Sequence, residues 1–169
     1  MDKPNRMTVD LSPYPDLVVI YLGMRVNAAP RGVRTLLSYW PKIKASVKAA
    51  PDGLLLHENL QYSLLPPHLG MRQYWRDFGS LERWAHDLPH KAWWRAYLRD
   101  RGGTGFWHET YFRDGAVESV FIDMPPFGLT KFGAAEPARG SLFSARRRLG
   151  LKQGAEPAPV VTEEALYRP

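Results

Sequence analysis

Cysteine is absent from the 169 residues. Disulfides, thiolate nucleophiles, thiolate ligation of haem and cysteine-based zinc or iron–sulfur sites are excluded with it. Long apolar runs are lacking too. The longest, LVVIYLGM at 17–24, falls well short of the roughly 20 residues that a membrane span needs. The opening MDKPNRMTVDLSPYPD has no apolar segment of the signal-peptide kind. A soluble cytoplasmic protein with no membrane partner is the expectation. There is no GxSxG elbow, and GMRVNAAPRG at 23–32 lacks the glycine spacing of a phosphate-cradling loop. Serine hydrolase, kinase and dinucleotide-binding chemistry are therefore not expected. Acidic residues are the minority, 17 against 23 Lys and Arg, for a net charge of +6. The basic excess is spread thinly, with one dense run at Arg146-Arg147-Arg148, so a nucleic-acid partner is not expected either.

What is present is an ordinary globular composition, 44% hydrophobic and 24% charged, enough to bury a core without staples. Residues 1–15 carry three prolines and read as an irregular arm. DLVVIYLGMRV at 16–26 is β-branched and aromatic and reads as a strand. A helix follows over 33–50, where Val33, Leu36, Leu37, Trp40, Ile43 and Val47 recur at spacings of three and four. Pro41 should kink or split it after Tyr39. Strands are expected at 53–64 and 71–78. A helix capped by Ser80 should come next, then a second helical run from His90 stopped by Gly102-Gly103. TGFWHETYFR and AVESVFIDM, joined by Asp114-Gly115, read as a hairpin. A domain over 16–135 and a C-terminal extension over 136–169, with a short helix at 141–149, complete the expected organisation.

The order β-α-β-β-α-β with one added hairpin strand is that of an α+β ferredoxin-like sandwich. Two helices cover one face of such a sheet and leave the other bare, and a bare apolar face predicts a homodimer. QYWRDFGSLERWAHDLPHKAWWRAY at 73–97 sharpens this. It resembles the signature of the antibiotic-biosynthesis-monooxygenase-like, dimeric α/β-barrel superfamily, matching through Trp75, Ser80, the 81–87 helix and Pro89-His90. LGMRVN at 22–27, YWRDF at 74–78, WHETY at 107–111 and IDMPPFGL at 122–129 are similar to a narrower family labelled monooxygenase, over roughly residues 16–135. The resemblance implies a dimeric α/β barrel and an oxidoreductase acting on a small hydrophobic or aromatic molecule. It leaves the cofactor open: relatives include cofactor-free oxygenases and haem enzymes, as well as cyclases, isomerases and plain ligand binders. In haem-degrading relatives the iron-binding histidine lies farther along the helix, where this chain has Trp93, Trp94 and Tyr97. His108 or His90 is then the axial ligand if haem binds, and no other metal ligand is assigned.

Strand alternation sorts the candidate site residues. Val18, Ile20, Leu22, Met24 and Val26 should face the helices, with Tyr21 and Arg25 on the other side. Phe106 and His108 oppose Trp107, Glu109 and Tyr111, so His108 and Glu109 cannot share one cavity without a bulge. His108 is the first candidate for acid/base work, since imidazole changes charge near neutral pH. Glu109 is its catalytic companion or the partner of an arginine such as Arg25 or Arg72. Arg25 suits a ligand carboxylate. His57 and Asn59 share a face of their strand and are placed with Tyr21 and Arg25 along the cavity. Trp75 and Trp107 are the expected aromatic walls, Trp84 and Trp94 expected core, and His90 the histidine of the turn.

Overall fold

Described residues 3–151 and 162–167 of this computed structural model run in the order β1 (Arg6–Asp10), β2 (Val18–Val26), α1 (Arg31–Lys48), β3 (Leu54–Ser63), β4 (His68–Trp75), α2 (Phe78–His86), α3 (His90–Arg99), β5 (Thr104–Phe112), β6 (Phe121–Ile122), β7 (Ala134–Pro137), α4 (Ala145–Arg148) and α5 (Glu163–Tyr167). Single 3-10 turns occupy Gly128–Lys131 and Gly140–Leu142. Two compact units result. One spans 16–112; the other combines the described residues up to 15 with those from 113 on. No helix among the described residues is long and apolar enough to cross a membrane.

The 16–112 unit is the ferredoxin-like sandwich. Its sheet has the order β3-β4-β2-β5, every neighbour antiparallel. β2 and β4 are the inner strands and β3 and β5 the edges, and β2 turns its apolar set Val18, Ile20, Leu22, Met24 and Val26 to the helices. α1 presents Leu36, Tyr39, Trp40 and Ile43 to the sheet. Pro41 does not split it, and the helix is continuous over 18 residues. α2 is capped by Asp77 and not by Ser80: the Asp77 carboxylate accepts from the Ser80 N–H at 2.7 Å and from the Ser80 hydroxyl at 3.0 Å. An N-cap oxygen serves the N–H three residues on, so the cap lies upstream of the residue that reads as one. Val18, Trp75 and Leu81 form the buried core, with Ile20, Leu54 and Trp84 packed around it.

The second unit corrects two expectations. Residues 6–10 of the supposedly irregular arm form β1, the centre of a three-stranded antiparallel sheet of order β6-β1-β7. The Asp114-Gly115 hairpin does not form. Residues 113–120 are irregular, and only Phe121 and Ile122 are strand, paired with Met7 and Arg6. Arg113 explains the departure: its Nη1 donates to the carbonyls of Leu11 and Tyr14, each at 2.6 Å, and its Nε to Gly115 O at 2.9 Å. Within this unit Arg148, 5% exposed, is paired with Glu118. Residues 152–161 of the expected C-terminal extension lie outside the described residues.

Candidate functional site

A cleft of about 450 Å3 lies between the three helices of the sandwich and the helix-facing side of its sheet. β2, β4 and β5 supply the floor through Ile20, Leu22, Met24, Met71 and Phe106, the set that alternation assigns to this face. The helices supply aromatic walls: Tyr39 and Trp40 from α1, Trp84 from α2, Trp93, Trp94 and Tyr97 from α3. No charged side chain among the described residues lines it. Besides the indole N–H groups, its polar side chains are the phenols of Tyr39 and Tyr97 and the imidazoles of His86, His90 and His108.

His108 stands on the floor beside Phe106, at a centroid distance of 6.1 Å, and is itself exposed. His90 begins α3 and is wedged between Trp84 and Trp93, with ring centroids at 3.8 and 4.7 Å. Burial holds its imidazole down to about 4, with the Asp87 charge opposing the shift. His90 is therefore neutral at physiological pH, able to donate one hydrogen bond and accept another. The Trp84 indole N–H is fixed on Ser46 Oγ at 3.2 Å.

The depressed imidazole makes a stability prediction. Between pH 6.5 and about 4 the unfolded chain protonates this histidine and the folded one does not, so stability falls as pH falls through that window. Urea midpoints of His90→Phe should drop less between pH 7 and 4.5 than those of the parent. Identical pH slopes in the two proteins would disprove it. The low-lying carboxylates Asp52, Asp77 and Asp100 act below that window.

The remaining candidate residues separate into two groups. His57 and Asn59 are on the helix side of β3 but away from the cleft, and so not with Tyr21 and Arg25. They end a chain of contacts that runs from the interior to the surface: Trp75 Nε1 donates to Gln73 Oε1 at 3.1 Å, Gln73 Nε2 lies 3.2 Å from His57 Nδ1, and His57 Nε2 lies 3.1 Å from the exposed Asn59 Oδ1. All contacts are satisfied if the His57 proton is on Nε2, and burial lowers its basicity in agreement. Trp75 is 0% exposed and is core. The expected division of tryptophans holds only in part: Trp75 is core and not a wall, Trp94 lines the cleft, and Trp84 both packs on the core and lines the cleft.

Tyr21, Arg25, Trp107 and Glu109 all lie on the opposite, open face. Glu109, Tyr21, Arg72 and Glu58 stand in one row across the four strands. Arg72 donates to Glu58 Oε2 through Nε at 2.9 Å and Nη2 at 2.5 Å, and to the Tyr21 hydroxyl at 3.3 Å. The arginine pairs with Glu58 rather than with Glu109, which accepts from the Tyr111 hydroxyl at 2.6 Å. Burial pushes the neighbouring Tyr74 up to about 12. Trp107 Nε1 donates to His68 Nε2 at 2.8 Å, and its ring fills the space above Gly23. Arg25 donates to Asn27 Oδ1 at 2.8 Å. His108 and Glu109 thus face apart, with His108 on the cleft side. Sequence reasoning missed Gln73, Trp93 and His86. Alternation with Trp75 and Met71 placed Gln73 on the helix face, and the four-residue step from Trp93 to Tyr97 marked a single helix stripe. No group of three or more potential metal ligands occurs among the described residues.

Fold and cleft together define a ferredoxin-like α+β domain with an apolar, aromatic-walled cleft. Residues 17–129 match the family model of monooxygenase af470-like proteins, and the chain belongs to that family. No curated protein matches the chain. Among solved structures it is similar to an aldoxime dehydratase (OxdRE) in complex with butyraldoxime, at 22% identity and a TM-score of 0.62 over 85% of this chain and 42% of that one. A second aldoxime dehydratase aligns at 20% identity and a TM-score of 0.60, over 85% of this chain and 43% of the other. SnoaB, a cofactor-independent oxygenase from Streptomyces nogalater, aligns at 17% identity and a TM-score of 0.46 over 60% of this chain and 97% of its own. The chain spans less than half the length of the two dehydratases. Likeness at such identities establishes the fold and leaves the reaction open.

Proposed function

We propose that the protein is a monooxygenase-like oxidoreductase that takes a small hydrophobic or aromatic molecule into the helix-side cleft and oxidises it with molecular oxygen. The observation that carries this reading is the lining: aromatic and aliphatic side chains with three imidazoles and no charged group. A phenolic or enolic guest would bury its rings there. His108, on the floor, takes the hydroxyl proton, and the low polarity of the walls raises the reactivity of the resulting anion. His90, neutral, accepts or donates a hydrogen bond at the guest's second oxygen. If a CH2 group is oxidised, it combines with O2 to give a carbonyl and water, so the substrate supplies all four electrons that O2 takes up and no external reductant is needed. Glu109 faces away and has no part in this step.

Haem is the competing cofactor. The imidazoles of His90 and His108 are suitable axial donors. No lysine or arginine lines the cleft, however, so the two carboxylates of a haem would have no cation there. The lining fits a neutral aromatic guest better. A homodimer through the open sheet face belongs to the same proposal, supported by its exposed Tyr111 and half-buried Trp107.

Oxygen uptake on electron-rich phenolic and enolic aromatics tests the reading. His108→Ala should lower turnover about 100-fold, with guest affinity, followed by tryptophan fluorescence, little changed. Turnover undiminished in His108→Ala would remove the histidine from the mechanism. A Soret band on adding hemin, displaced in His90→Ala, would replace cofactor-free oxidation by haem chemistry.

A further inference from the structure

The walls formed by Trp84, His90 and Trp93 have a second side. Beyond them lies another concave region, bounded by the C-terminal half of α1 and by the Asp87–Pro89 turn, and all three residues line both spaces. The two spaces differ in chemistry. The first holds no charge, whereas the second carries Lys42 and Asp87. Asp87 is partly engaged, its Oδ1 accepting the Leu88 N–H at 3.0 Å. Lys42 has no ion pair among the described residues. Its ammonium lies 4.9 Å from the centroid of the Tyr39 ring, and Tyr39 is itself a wall of the first cleft. The partition is held unevenly: Trp84 is tethered to Ser46 by a hydrogen bond, whereas His90 is held by ring packing between Trp84 and Trp93 and has no side-chain hydrogen bond among the described residues.

We propose that the physiological substrate is an aromatic acid: its rings fill the apolar cleft, and an arm ending in a carboxylate passes the Trp84–His90–Trp93 wall to meet Lys42. This rests on the reading of the cleft as the substrate site and adds the substrate's charge and shape. An exposed ammonium that packs on the Tyr39 ring and has no carboxylate partner among the described residues attracts an anion, and the net charge of +6 draws it in the same direction. The arm must be long enough to clear the wall, so a short acid and a long one should behave differently.

The test compares naphthylbutanoate with its methyl ester, and naphthylacetate with its own ester, by quenching of tryptophan fluorescence. In the parent protein the long acid should bind about tenfold more tightly than its ester, and the short pair should bind alike. Lys42→Glu should abolish the preference for the long acid and leave ester affinity unchanged. Lys44→Glu, which alters the same net charge on the same helix, should keep the preference. If the esters bind but acid and ester do not differ, or if Lys44→Glu acts as Lys42→Glu does, the proposal falls while the cleft remains a ligand site. If none of the four compounds binds the parent protein, the cleft reading falls and this inference with it.

Discussion

Trp75→Ala should cost about 3–5 kcal/mol of stability, the range for truncating a buried aromatic side chain. Trp75 is 0% exposed, and its ring centroid is 5.2 Å from that of Trp84. Removing it opens a void among Val18, Leu81, Ile20 and Leu54. It also strips Gln73, itself 0% exposed, of the indole N–H that its oxygen accepts at 3.1 Å. A buried acceptor left without a donor adds to the cavity term. Against a total stability of roughly 5–15 kcal/mol for a domain, one substitution brings the protein close to unfolding at ambient temperature. Trp75→Phe keeps most of the ring volume and loses the hydrogen bond, so a cost nearer 1–2 kcal/mol is expected. Urea denaturation followed by far-ultraviolet circular dichroism measures both without relying on the tryptophan that is changed. Equal midpoints for Trp75→Ala and the parent would remove this residue from the core.

Gly32→Val should destabilise by about 3 kcal/mol and weaken ligand binding together. A Cβ at Gly32 would lie 2.5 Å from the Gly103 carbonyl oxygen and 2.9 Å from Val26 Cγ1. The carbonyl is backbone and is already committed, accepting from the N–H groups of Asn27 and Ala28 at 2.9 and 3.0 Å. It cannot yield, so the first turn of α1 must move. That helix carries Leu36, Tyr39, Trp40 and Ile43, four walls of the cleft, and displacing it by a fraction of an ångström alters the cleft's width. Gly79→Ala is the contrast: its added carbon would meet only side-chain atoms of Asp77 and Arg83, at 3.3 and 3.4 Å. Stability within about 1 kcal/mol of the parent is expected there, since alanine's helix propensity offsets the crowding. If both glycines tolerate substitution equally, the close contact of α1 with the start of β5 is not a constraint.

Much of this protein was determined locally. Alternation was enough to separate Ile20, Leu22 and Met24 from Tyr21 and Arg25 in β2, and Phe106 and His108 from Trp107 and Glu109 in β5, because a strand's side chains point alternately whatever lies beside it; which set of β5 joins which set of β2 came from the pairing register. The three-and-four spacing of α1, the glycines that stop α3 and the order of elements within 16–112 were equally legible. So was the exclusion of every chemistry that needs a thiol.

Tertiary structure alone decided which neighbours those faces meet. The alternating run after Asp114-Gly115 reads as a hairpin, but Arg113 reaches the carbonyls of Leu11 and Tyr14, about a hundred residues away in sequence, and the return strand pairs with β1 instead. Periodicity identifies an apolar stripe and is silent on whether the surface opposite fills it or leaves a space. For that reason Trp75 became core while Trp84, Trp93 and Trp94 came to wall a cleft. The same holds for charge. Arg72 stands opposite Glu58 because β3 and β4 are in a register set partly by irregularities after Leu54 and Gln61, and no local pattern in either strand specifies that pairing.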